Sequence, residues 1–224
     1  MNYFNDSFNS FFKDLAANNN RDWYHANKSR YESDVKKPFE RFIQDLIKEI
    51  STIDPSVSGL EAKDCVFRIF RDTRFSADKT PYKLYASAII SPNGRKDMDY
   101  PGTYIQMGVG ELWIGGGAYM PTKEQLEKIR MKIIQSEEDV NSLIADQGFV
   151  KYFGAIKGDK NKRLLKPFAD WTEKIPLVAN KQFYYMAEYH DNEQLIIQEN
   201  FMEFILQHYK ASKDWLDFLK YAIK

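Results

Sequence analysis

An α+β fold, with a central, mostly antiparallel sheet flanked by helices from both ends of the chain, is what this sequence predicts. Three observations point there. Helix-period apolar patterns fill the first fifty residues and return at the end, while β-branched and aromatic runs of strand length cluster between Cys65 and Gly116. No internal repeat, low-complexity run or linker interrupts the 224 residues, so residues 1–224 read as a single domain, long enough to bury a substantial core. Aromatic residues at 15% predict several layers of ring packing in that core.

The elements follow in order. Phe8, Phe11, Phe12 and Leu15 share one face of a first helix, with Asp6 or Ser7 as N-cap, and Asn18, Asn19 and Asn20 stop it. A second helical pattern carries Trp23, Asn27, Tyr31 and Val35 at steps of four, a polar–aromatic stripe that reads as packing. Pro38 either kinks that helix or sits in the first turn of the next one. From Cys65 the period changes. "CVFRIF", "LYASAIIS" and "GTYIQMGV" read as strands of an antiparallel meander, and Gly110 with Glu111 predicts a two-residue hairpin into "LWIGG". Thr122 and Gln125 form a capping box that opens a helix carrying Leu126, Ile129 and Ile133 inward. "SEEDVNSLIADQG" continues as helix, and "KIPLVANKQ" gives a short one. "QFYYMAEYH" is a strand, and two C-terminal helical stretches close the chain.

Composition narrows the function classes. Lys plus Arg equals Asp plus Glu, 32 against 32, so whole-chain charge gives no reason to expect nucleic acid or an anionic membrane as partner; a local patch must do any such reading. Cys65 is the single cysteine and opens an apolar run, which predicts a buried, unreactive thiol in a reducing, cytoplasmic setting. The first fifteen residues lack the basic start and apolar core of a signal peptide, and no stretch approaches the ~20 apolar residues of a membrane span.

One stretch departs from this neutrality. "FRIFRDTRFSADKTPYK" places Arg68, Arg71, Arg74, Lys79 and Lys83 against Asp72 and Asp78, a local surplus of three positive charges. In a strand, Arg68 and Arg71 would point to opposite faces, each beside apolar neighbours, where guanidinium donors need partners. Arginine grips phosphate or carboxylate bidentately, lysine adds a point charge, and Tyr82 offers a phenol or a stacking face. Three readings stay open. Arg68, Arg71, Arg74, Lys79, Tyr82 and Lys83 bind a phosphate-bearing small molecule or a nucleic-acid backbone. Alternatively, Asp72 or Asp78 is the base of a metal-assisted hydrolase or transferase. The third reading is a non-catalytic interaction module in which the motif is a structural ion-pair cluster.

At Arg68, Arg71, Asp72, Arg74, Phe75, Asp78, Lys79 and Tyr82 the chain resembles a bacterial family known as a domain of unknown function, with the signature R-x-x-R-D-x-R-F-x-x-x-K-x-x-Y. The resemblance extends to "NNNRDWY" and "WIGGGAYMP" and so covers most of the chain. It implies a single cytoplasmic domain of that type and no particular activity.

Other chemistry is sparse. Gly115, Gly116 and Gly117 precede a helix, where backbone N–H groups can cradle an anion, but no P-loop or dinucleotide fingerprint is met, and a tight turn or bulge is the expectation. His25, His190 and His208 stand in no metal-ligand spacing, and Glu188 with His190 on one strand face reads as structural. No metal site is predicted, and the residues leave any cofactor unknown.

Overall fold

Helix α1 (Asp6–Ala17) is capped by Asn5, one residue before the nearer predicted cap, Asp6: the Asn5 Oδ1 accepts from Ser7 N at 3.0 Å. The computed structural model describes residues 2–190 and 193–224. Phe8, Phe11, Phe12 and Leu15 are all fully buried, as their spacing predicts. Asn20 caps α2 (Arg21–Ala26), accepting from Trp23 N at 2.9 Å.

From α3 (Lys28–Tyr31) the chain passes through a widened π turn, Glu32–Lys36, directly into α4 (Lys37–Ser51). Pro38 sits in the first turn of α4. Its missing N–H leaves the Asp34 carbonyl without a helical donor, and the widened turn immediately before it absorbs that mismatch. Helix α4 buries Phe39, Phe42, Ile43, Leu46, Ile47 and Ile50 along one stripe.

The four strands β1 (Tyr85–Ile90), β2 (Gly102–Gly108), β3 (Glu111–Ala118) and β4 (Phe183–His190) form one antiparallel sheet in the order β1-β2-β3-β4. The β2–β3 turn is Val109 and Gly110, one residue earlier than predicted, with Gly110 at φ 67°. "CVFRIF" is not a regular strand. Cys65 ends a short helix, α5 (Ala62–Cys65), and the chain then makes single bridges, Val66 to Ala88 and Phe70 to Tyr82. Arg71 N donates to Pro81 O at 2.9 Å, but Pro81 has no N–H to return, so the ladder breaks there. Burial pushes the Cys65 thiol up to about 11, in line with an inert side chain.

The chain divides into two compact units whose boundaries fall within β2, β3, β4 and the last helix. The first unit comprises Met1–Lys96, Tyr104–Ile114 and Glu188–Leu206. Its core includes a ring cluster in which Phe4 meets Phe8 at 4.9 Å and Phe42 at 5.5 Å, and Phe42 meets Phe201 at 5.2 Å.

The second unit comprises Asp97–Thr103, Gly115–Ala187 and Gln207–Lys224. It holds α6 (Lys123–Gln135), whose Thr122–Gln125 capping box is fully formed, followed by α7 (Glu137–Ala145) and α8 (Gln147–Phe153). Gly115 and Gly117 lie inside β3 rather than in a turn. A Cβ on Gly115 would sit 2.3 Å from Tyr185 O, and one on Gly117 would sit 2.3 Å from Phe183 O. These glycines therefore serve close strand approach. The two predicted C-terminal helices are one, α9 (Phe201–Ile223), which runs through both units. Among the described residues no helix is long and apolar enough to cross a membrane.

Candidate functional site

The arginine motif lies wholly in the first unit, on the chain between α5 and β1. Its base is pinned by Asn19, which uses both ends of its amide on one residue: Asn19 Nδ2 donates to Tyr82 O at 2.9 Å, and Tyr82 N donates to Asn19 Oδ1 at 3.1 Å. Asn19 thereby replaces a missing strand neighbour. Tyr82 itself is 2% exposed and stacks on Tyr24, with centroids 4.2 Å apart and planes at 23°. Its ring serves packing, and burial raises the pKa of its phenol.

Between these anchors the loop neutralises its own charges. Arg71 donates to the Asp78 carboxylate and to the Thr80 hydroxyl, while Asp78 Oδ1 accepts from Thr80 N at 2.9 Å. Arg74 grips Asp72 bidentately, Nε to Oδ1 at 3.0 Å and Nη2 to Oδ2 at 2.7 Å. Lys79 Nζ donates to Thr73 O at 2.9 Å. The Arg74 guanidinium holds Asp72 down to about 2. The Thr80 backbone N–H, with help from Arg71, does the same for Asp78, also to about 2. Carboxylates so stabilised are poor proton acceptors near neutral pH, where a general base works best with a pKa close to 7.

Arg68 and Lys83 make no ion pair within this arrangement, although the charge of Arg68 adds to the lowering of Asp72. Arg68 is exposed and makes no hydrogen bond or ion pair among the described residues. Lys83 is half-buried, 5.3 Å from the Phe67 ring centroid and 5.8 Å from that of Tyr85, and desolvation followed by Arg68 lowers its pKa.

Two clefts flank the motif. The smaller, about 460 Å³, is walled by the neutralised groups Arg71, Asp72, Asp78 and Thr80, with Lys83 and Tyr82 beside them. The larger, about 550 Å³, receives Arg68 alone among the predicted site residues. It gathers Lys28, Lys36, Lys63, Arg68 and Arg95 against Glu32 and Glu40. Lys36 pairs with Glu32 at 3.2 Å, Lys63 with Glu61, and Arg95 donates to Lys63 O. Lys28, Arg68 and Glu40 make no hydrogen bond or ion pair among the described residues. Tyr24, Tyr31, Phe67 and Phe70 supply an aromatic wall. Desolvation, then the neighbouring Tyr82 and Glu32, push the Tyr24 phenol up to about 12; Tyr31 is raised as well, mainly by burial. Arg74 and Lys79 line neither cleft.

The predicted ligand set is therefore not one constellation. The residues missed from the sequence carry a signal in their spacing: Tyr24, Lys28, Glu32, Lys36 and Glu40 recur at every fourth position and all line the larger cleft. They form the stripe next to the one singled out by Trp23, Asn27 and Tyr31. Among the described residues no three His, Cys, Asp or Glu side chains gather so as to hold a metal ion.

The model of a family of conserved hypothetical proteins, DUF2461, matches residues 7–218. The chain belongs to that family. No curated protein and no solved structure matches this DUF2461 chain.

Proposed function

We propose that this DUF2461 protein is a cytoplasmic binder of a phosphate-bearing small molecule, held in the larger cleft with Arg68 as its principal clamp. The observation that carries the reading is Arg68 itself: a guanidinium opening on a cleft with three more cations than acids, and with no hydrogen-bond or ion-pair partner among the described residues. A cleft of about 550 Å³ supports a small molecule over a nucleic-acid backbone, which calls for an open, cationic track. The cytoplasmic part rests on the lone, buried thiol of Cys65. The pairing of Arg71 with Asp78 and of Arg74 with Asp72 favours a structural role for the rest of the motif, and this second reading is compatible with the first.

Thermal unfolding with phosphate and pyrophosphate, at ionic strength matched with chloride, tests it. A ligand at ~100 times Kd adds about 2.7 kcal/mol, which for a chain of this size is a rise on the order of 5–10 °C. Absence of any rise with either anion at millimolar concentration would sink the proposal.

A further inference from the structure

The larger cleft contains groups that a site for phosphate alone has no use for. Glu40 is half-buried beside Tyr31 and has no cation or donor of its own among the described residues, whereas Glu32 is neutralised by Lys36. An unpaired carboxylate repels a phosphate, so its presence there fits a ligand that also brings hydrogen-bond donors. The second unusual group is Phe70. It contacts Tyr24 at 5.8 Å and Tyr82 at 5.4 Å, yet 46% of it remains exposed in the cleft. An aromatic face left open over a ring-lined wall is a stacking platform.

Resting on the proposed phosphate reading, we infer that the ligand is a nucleotide. Arg68 and Lys28 take the phosphate, Phe70 packs on the base, and Glu40 accepts from the ribose hydroxyls or an exocyclic amine. The volume of about 550 Å³ suits a mononucleotide. Charge, aromatic surface and acceptor are then each matched by a part of one molecule. This arrangement also explains why the cleft retains an acid amid its surplus of cations.

The test is calorimetric titration of the full chain with the four nucleoside monophosphates, ribose 5-phosphate and pyrophosphate, for the wild type and two variants. At least one nucleotide is expected to bind tenfold or more tightly than ribose 5-phosphate. Phe70→Leu keeps an apolar side chain against Tyr24 and Tyr82 but removes the ring. It should reduce that advantage to about threefold or less while leaving ribose 5-phosphate binding unchanged. Glu40→Gln should weaken the nucleotide and strengthen pyrophosphate, because it removes an acceptor for one and a repulsion for the other. If pyrophosphate and ribose 5-phosphate bind but no nucleotide gains on them, the inference falls and the phosphate reading stands. If none of the six compounds binds, both fall.

Discussion

Five cations against two acids describes both residues 68–83 and the larger cleft beside them, and Arg68 alone belongs to both sets. The two regions nonetheless differ in what their charges are doing. In the loop, Arg71, Arg74 and Lys79 have all found acceptors within ten residues of themselves, and both aspartates are held near 2 by those contacts. In the cleft, Lys28, Arg68 and Glu40 have found none among the described residues. A surplus of charge counted along the chain does not distinguish a ligand site from an internal clasp. Satisfaction of the individual donors does, because a guanidinium already held by a carboxylate has little left to offer an incoming anion.

The comparison can be broken most decisively at Arg68. Reversing its charge with Arg68→Glu should abolish detectable stabilisation by pyrophosphate while moving the unfolding temperature of the unliganded protein by less than about 2 °C, since the residue is exposed and unpaired. A large loss of intrinsic stability would show that Arg68 belongs with the clasp.

Arg71→Ala comes next. Its side chain is 28% exposed and that of Asp78 is 56% exposed, so solvent screens the pair and its loss costs far less than opening a buried one. The expected result is a fall of up to about 4 °C in Tm with unchanged pyrophosphate affinity.

The clasp also makes an acid prediction. Asp72 and Asp78 have folded-state pKa values depressed to about 2, against an ordinary value of about 3.9. Their contribution to stability is therefore fully present above about pH 4 and is lost as pH falls towards 2. Carboxyl carbon resonances followed by NMR should titrate below the ordinary value of about 3.9, the lowering being damped by solvent because both groups are exposed. Midpoints in the usual carboxylate range would mean that the clasp is open in solution.

The smallest effect is expected for Asp72→Asn. Arg74 and Asp72 are 77% and 47% exposed at their side chains, and exposed pairs contribute little. The unfolding temperature should stay within about 2 °C of the wild type.

Periodicity made most of the fold legible. The Phe8, Phe11, Phe12 and Leu15 face, the Thr122–Gln125 capping box and the strand-length runs that became β1, β2 and β4 all depend on local residue patterns, and each is present. The misplaced elements are those decided by longer-range geometry. "CVFRIF" has the composition of a strand, but between its bridges, Val66 to Ala88 and Phe70 to Tyr82, residues 67–69 face the longer stretch 83–87, and beyond them Pro81 stops the ladder, so only isolated bridges form. Gly115 and Gly117 read as a tight turn or bulge because the closeness of Tyr185 and Phe183 across the sheet is invisible along the chain. At the site, the sequence drew attention to the motif but not to how it divides. Arg68 and Arg71 do line different clefts, as a strand reading implied, although the strand itself is absent. The opposite wall of the larger cleft comes from α2, α3, the π turn and α4, where Lys28 and Glu40 pass for ordinary surface charges until the helices bring their fourfold spacing to Arg68.

The central claim, that unsatisfied donors and not the charge-rich loop make the site, is tested most directly by one paired measurement. Pyrophosphate is titrated calorimetrically into folded Arg68→Ala and Arg74→Ala variants at matched ionic strength. Loss of a charge-assisted clamp worth about 1.5–3 kcal/mol predicts a drop of roughly tenfold or more for Arg68→Ala, with Arg74→Ala indistinguishable from the wild type. Equal losses in the two variants, or a loss confined to Arg74→Ala, would contradict the account and return the loop to the centre of the site.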